Sequence, residues 1–435
     1  MTFLLAWSDV HFSADRSTVD EVEYLPRVID DRLSRWLRGR PAVRLEGPRG
    51  CGKTITALQH AGSAVHLDAN PGMVELAQLD PDRILAGRAP RLVDEWRLAP
   101  SLWPQITGRL GDQPLPGRYL LASSATPLEY RHHTRDAAQL PVLRMRTMSL
   151  TERPGIEAHV SLAGLAYGDN VAGVRSRLSY TDLAEHAVRG GWPELLNAPT
   201  EQAIEYNTSY LHALAHTDLK TLVLTRHQPD RITDLLTSLA RHTATDASLA
   251  GLGHNTAARL GRDTVRSYLD ALDRLHAWEP QPAWQPPLRT RARLRHRPRA
   301  HLADPALACA ALGYDADRLA DDPQRFAAIF TAMVIHDLRV YLEGTGAQLY
   351  HYKDETGPAI DAIIEYPDGR WAAVQTSLGD HHVVDAEIAL HTLRDDRLDL
   401  DQIGRPRFLA IITGGTQASI TRNQTYTIPL ATLTA

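Results

Sequence analysis

The sequence is poor in lysine. Lysine and arginine together number 47, and only Lys53, Lys220 and Lys353 are lysine. Such a bias fits a GC-rich genome in which arginine replaces lysine wherever it serves, so a lysine kept inside a motif stands out. Cysteine is nearly absent. Cys51 and Cys309 cannot form a disulfide framework, which points to a reducing cytoplasm. No apolar run approaches the roughly 18 residues a membrane helix needs, which excludes a spanning segment. The first residues, MTFLLAWSDVHFSADRS, have neither a basic region nor a small-residue cleavage site, so no secretory signal is expected. A formal charge of −5 excludes a uniformly basic nucleic-acid binder and leaves room only for a local basic patch.

What is present is a globular composition: 43% hydrophobic and 23% charged residues over 435 positions, enough for two to four domains. Residues 1–22 read as a mobile N-terminal extension. From 23 to 155, short apolar runs alternate with helical stretches. The strands expected are Ala42–Glu46, Ala64–Asp68, Arg91–Asp94, Tyr119–Ser123 and Val142–Met148, an α/β pattern with a parallel sheet. The region 156–303 reads as mostly helical. A helix begins at Thr181-Asp182 and ends at Gly190-Gly191, and Thr256–Leu260, Gly261-Arg262-Asp263 and Thr264–Ala277 read as helix, turn, helix. The region 304–435 reads as helix, three strands, helix, strand, with strands at Gln348–Tyr352, Ile360–Tyr366, Trp371–Thr376 and Arg407–Thr413.

Gly47-Pro48-Arg49-Gly50-Cys51-Gly52-Lys53-Thr54 fits G-x-x-x-x-G-K-[ST] between an expected strand and helix. In such a loop the glycines turn backbone N–H groups toward phosphate oxygens, and the helix N-terminus adds positive potential. Lys53 then neutralises the β- and γ-phosphates of ATP, and the Thr54 hydroxyl ligates Mg²⁺. About 0.002 accidental matches are expected in a chain of this composition. Some 40 residues on, Arg91-Leu92-Val93-Asp94-Glu95 ends a strand in two carboxylates. Asp94 is placed to hold Mg²⁺, and Glu95 to orient and deprotonate an attacking water. Ser123 and Ser124, ending the next strand, are placed to sense the γ-phosphate.

The motifs YLPR, GPRGCGKT, RLVDEW, YLLASSATP, LRMRTMSLTER, RGGWPELL, TVRSYLDALDRL, RAHLADPALA, DLRVYLEG and AIDAIIEYPDGRWAAVQTSLG follow one another from Tyr24 to the C-terminus. In that order the chain resembles the prokaryotic AAA-like P-loop ATPases with a C-terminal restriction-endonuclease-like domain of unknown function. The resemblance implies an AAA-like ATP-binding core, a helical and winged-helix middle, and a C-terminal αβββαβ nuclease-like domain. It carries Lys53, Asp94 and Glu95 over directly.

Two departures matter. Just before LRMR the family has a Gly-Arg pair whose arginine would stabilise transition-state charge. Here Ala138-Gln139 stands in its place, leaving Arg144 and Arg146 either as substitutes or simply as arginines on an edge strand, and implying slow hydrolysis. In the C-terminal domain the PD-(D/E)xK pattern needs two acids and a lysine. Asp361 matches the first acid, but Gln375 and Ser377 stand at the Glu and Lys positions and Thr331 at a helical glutamate. Binding, not phosphodiester cleavage, is expected of this domain.

Arg289, Arg291, Arg293, Arg295, Arg297 and Arg299 alternate strictly. On a strand they would share one face, where a wing would follow the two helices, and would meet the phosphates of DNA or RNA. The alternatives are a solvated hairpin face or a protein-binding module. The twenty histidines, with pairs at His132-His133 and His381-His382, are assigned no metal. Two readings result: a Mg²⁺-dependent ATPase that couples nucleotide state to domain rearrangement, or a nucleotide-gated switch that binds DNA or protein with little turnover. Either is compatible with an oligomer, and neither requires a membrane.

Overall fold

The computed structural model describes residues 24–112, 114–126, 140–222, 228–290 and 292–435. The expected extension (1–22), the Ala138-Gln139 position, His132-His133 and Arg291 lie outside the described residues. The chain divides into two compact units, the first ending at Met145 and the second spanning Arg146–Ala435.

The first unit runs α1 (Ile29–Gly39), β1 (Ala42–Glu46), α2 (Lys53–His60), β2 (Ser63–His66), α3 (Pro71–Leu79), α4 (Pro81–Leu85), β3 (Arg91–Asp94), α5 (Leu102–Asp112), β4 (Tyr119–Ser123) and β5 (Val142–Arg144). Local chemistry sets several starts. Asn70 and Asp80 accept the N–H groups of Met73 and Arg83, and each is followed by a proline at the first helical position. The five strands form one parallel sheet in the order β2-β3-β4-β1-β5.

Both faces of this sheet are covered, so its strands are apolar at successive positions. Leu92 and Leu120 pack with Leu33, Val43 and Leu45 on one face. Their neighbours Val93 and Leu121 pack with Trp96, Trp103 and Ile106 on the other. Because β4 lies between β1 and β3, the loop after β1 opens at the same sheet edge as Ser123 and Asp94. The register pairs Glu46 with Ser123, Ala122 with Asp94, and Asp94 with His66. β5 is shorter than expected. The N–H of Met145 still bonds to the Glu46 carbonyl at 2.7 Å, but Arg146 and Thr147 take their partners in the second unit.

The second unit opens with β6 (Val160–Ser161), α6 (Leu162–Leu165), α7 (Tyr180–Arg189), α8 (Thr200–His216), α9 (Pro229–Arg241), α10 (Leu249–His254) and α11 (Arg262–Arg274). α7 begins earlier than expected because Ser179, not Thr181, forms the capping box with Asp182. Ser248 likewise caps α10, and the expected helix over Thr256–Leu260 is instead a turn. In that turn the Thr256 hydroxyl donates to the Gly253 carbonyl and accepts from the Leu260 N–H.

Then follow α12 (Pro305–Leu312), α13 (Ala316–Ala320), α14 (Pro323–Leu342), β7 (Gln348–Lys353), β8 (Ala359–Glu365), β9 (Trp371–Ser377), α15 (Val383–Thr392), α16 (Leu400–Ile403), β10 (Leu409–Thr413), β11 (Ser419–Ile420), β12 (Tyr426–Pro429) and β13 (Leu433–Thr434). A six-stranded mixed sheet has the order β11-β12-β10-β9-β8-β7. Its core joins Trp284 and Trp371, with ring centroids 5.4 Å apart, to Tyr352, Ile363 and Ile411. Among the described residues no helix is long and apolar enough to cross a membrane.

Candidate phosphate-binding site

The loop from Gly47 to Thr54 is built so that only glycine serves at several positions. A Cβ on Gly47 would lie 1.9 Å from the Met145 carbonyl oxygen. Gly50 and Gly52 have φ of 81° and 100°, a region costly for other residues. Pro48 is buried and Arg49 exposed. Cys51 is buried, its carbonyl accepts from Arg27 at 3.0 Å, and its N–H donates to the Pro48 carbonyl. α2 starts at Lys53, so its free N–H groups open onto the loop. Lys53 is buried, and its Nζ donates to the Pro48 carbonyl at 2.8 Å.

Sheet order brings the two acidic residues to this loop. The Thr54 hydroxyl donates to Asp94 Oδ2 at 2.8 Å, and Asp94 is only 3% exposed. Its Oδ1 accepts the Glu95 N–H at 3.1 Å. Glu95 lies in the left-handed region with φ 51° and ψ 40°, a strained conformation for a residue with a side chain. That conformation turns the chain sharply after β3. Glu95 Oε1 then accepts the Ser124 N–H at 3.0 Å, and Oε2 accepts from Arg97 Nε at 2.8 Å. Ser123 donates instead to the Ala125 carbonyl. A hydroxyl beside a buried carboxylate is a donor set of hard oxygens suited to Mg²⁺, and the glycine-lined turn at a helix N-terminus suits phosphate.

Three neighbours escaped sequence reading. His66 Nδ1 lies 3.1 Å from Asp94 Oδ2, and that hydrogen bond raises the imidazole pKa above its ordinary value. The strand expected at Ala64–Asp68 contained His66, but only the register with β3 reveals its partner. Arg97 and Glu46 are the others. Glu46 accepts from the Thr126 hydroxyl at 2.7 Å and pairs with Arg44 at 3.2 Å.

The structure corrects the reading of Arg146 as a substitute finger. It is buried and salt-bridged to Glu279 at 2.6 Å and to Glu343 at 3.0 Å. Burial opposes its charge, but the two carboxylates outweigh burial and raise its pKa. A guanidinium so committed is a structural anchor. Arg144 is half-buried on β5.

The arginine stripe is also corrected. Among the described residues 289–299 form no strand, only isolated bridges. Arg289, Arg293, Arg295 and Arg297 are exposed, whereas Arg299 is buried and ion-paired with Asp361 at 2.8 Å. The other Asp361 oxygen accepts from the Thr376 N–H at 3.0 Å and its hydroxyl at 2.7 Å. Thr331 meets that same hydroxyl at 2.7 Å, Gln375 accepts the Asp361 N–H, and Ser377 donates to the Gly379 carbonyl. His212 and His216 stand in H-x-x-x-H spacing on α8, with ring centroids 3.9 Å apart. Among the described residues no group of three potential metal ligands exists.

Residues 180–318, from α7 into α13, match a family described as a domain of unknown function (DUF8612). Uncharacterized protein Mb2031c of Mycobacterium bovis and uncharacterized protein Rv2008c of Mycobacterium tuberculosis are each 26% identical to the chain over 339 residues. That stretch is 77% of this chain and 70% of theirs. Among solved structures the chain is similar to the Walker-type ATPase PABY2304 of Pyrococcus abyssi, with a TM-score of 0.39 and 13% identity. The match covers 70% of this chain and 99% of that one.

Proposed function

We propose that the chain binds ATP with Mg²⁺ in the Gly47–Thr54 loop and hydrolyses it to ADP and phosphate. The observation that carries this reading is the 2.8 Å contact between Thr54 and Asp94, which joins the end of a complete phosphate loop to a buried strand-terminal carboxylate. Thr54 and Asp94 would hold Mg²⁺, which would supply neutralisation of phosphate charge. Lys53 leaves the Pro48 carbonyl for the same phosphates, and the loop N–H groups orient them. Glu95 accepts a proton from the water that attacks the γ-phosphorus as the bond to the ADP oxygen breaks. Ser124, whose N–H already reaches Glu95, would report the γ-phosphate to that base.

A second reading, a nucleotide-gated switch with little turnover, is favoured by one observation. Both Glu95 oxygens are engaged, by Ser124 and Arg97, so the base must be released before it can act. Nucleotide binding and steady-state phosphate release, measured on wild type, Lys53→Ala and Glu95→Gln with Mg²⁺, separate the two. Lys53→Ala should lose nucleotide binding. Glu95→Gln should keep binding and lose turnover by roughly 10²–10⁴-fold. Unchanged affinity in Lys53→Ala would sink both readings, while tight binding without wild-type turnover would select the switch.

A further inference from the structure

We propose that the second unit carries a track for a nucleic-acid phosphate backbone, formed by Arg289, Arg293, Arg295 and Arg297, and that it holds this ligand without cutting it. The proposal is independent of the nucleotide site.

The segment is held rigidly by its backbone. Arg295 N–H donates to the Lys353 carbonyl at 2.9 Å, Glu355 N–H to the Arg293 carbonyl at 3.2 Å, and His351 Nε2 lies 2.9 Å from the Arg297 carbonyl. Arg299 exchanges both backbone hydrogen bonds with Gln281. The backbone is therefore spent on the protein and the guanidinium groups are left outside. Arg293, Arg295 and Arg297 are exposed and have no side-chain partner among the described residues. Arg289 makes one long contact, 3.3 Å to the Asp395 carbonyl.

Solvated arginines on an acidic protein ordinarily collect carboxylates, but three of those nearby are already engaged. Asp354 is taken by the Tyr352 hydroxyl and the Thr356 N–H, Asp395 by Arg394, and Asp246 by Lys353. Glu355 alone is uncompensated in the open groove of about 760 Å³ that Arg293, Arg295, His296 and Arg297 line. Among the described residues no phenylalanine, tyrosine or tryptophan lines this groove and its charge is concentrated in guanidinium groups, so recognition rests chiefly on phosphates, independent of sequence.

Arg299 marks where the track ends. It turns inward and supplies the positive charge at Asp361, whose second oxygen already has two donors from Thr376. A carboxylate satisfied in this way does not need a divalent cation, and Gln375 and Ser377 beside it offer neither a second charge nor a base.

The test is fluorescence anisotropy of the full chain with labelled 30-base-pair duplexes of two unrelated sequences, across a salt series. Equal affinity for both is expected, with log K falling against log salt at a slope of about −3.6 for four phosphates. The triple variant Arg293→Ala/Arg295→Ala/Arg297→Ala should flatten that slope by ~2.7 and bind at least tenfold more weakly. Its melting temperature should match wild type, because these side chains hold nothing in the fold. An unaltered slope, no saturable binding at low salt, or equal binding of poly-glutamate would overturn the proposal, the last assigning the track to acidic proteins. Cleavage of the duplex with Mg²⁺ or Mn²⁺, lost in Asp361→Ala, would overturn its second half.

Discussion

The Thr54 hydroxyl donates to Asp94 Oδ2 across 2.8 Å of space and 40 residues of sequence. The contact exists because β4 intervenes between β1 and β3, so that the loop after one strand and the terminus of another open at one sheet edge. Thr54→Ala and Asp94→Asn should each raise the Mg²⁺ concentration needed for half-maximal nucleotide binding by about tenfold or more, since each removes one of the groups that would hold the ion. Titration of Mg²⁺ at fixed nucleotide reads this directly. Unchanged Mg²⁺ dependence in both would separate these residues from the ion.

Arg97 holds one Glu95 oxygen at 2.8 Å. If Glu95 is the base, Arg97→Ala should release it and raise steady-state turnover by a few-fold while leaving nucleotide affinity unchanged. The pair is partly exposed, so little stability should be lost. A fall in turnover would mean that Arg97 orients Glu95 productively.

Arg146 is the reverse case, an arginine whose loss should be felt in stability. Arg146→Ala would remove the cation that Glu279 and Glu343 share and leave Glu279 its longer 3.7 Å pair with Arg339. Breaking a buried pair from one side costs roughly 3–5 kcal/mol. Urea denaturation should show that loss, with turnover per folded molecule unchanged.

His186 makes the fold sensitive to acid. Burial first, then Arg153 and Arg189, push its pKa from 6.5 down to about 3. The unfolded chain therefore binds a proton between these values that the folded chain refuses. Stability is full above about 6.5 and falls as pH drops toward about 3. His351, pushed to about 4 by burial and Arg299, acts in the same direction. The pH dependence of urea midpoints between 7 and 5 should be shallower in His186→Gln than in wild type, and an identical slope would remove His186 from the account.

Much of the candidate site was legible because its chemistry is written in consecutive residues. The glycines, Lys53 and Thr54 lie within eight positions, and Asp94-Glu95 terminate a short apolar strand. The sequence alone places the cap of α7 at Thr181, two residues late, because Ser179 and Thr181 are both capping types and only the hydrogen bonds separate them.

The sequence by itself determined the local features: alternating apolar strands and helices, a loop whose glycines permit left-handed backbone, and the acidic residues that could serve it. These depend on side chains within one turn or one strand. Tertiary structure decided which charges are available. Arg146 and Arg299 look like their neighbours in a linear reading, yet one is claimed by Glu279 and Glu343 and the other by Asp361. Their partners lie from 62 to 197 residues away, and no periodicity carries that information. A charge is defined by what the fold sets against it, whereas a turn is defined by its own backbone.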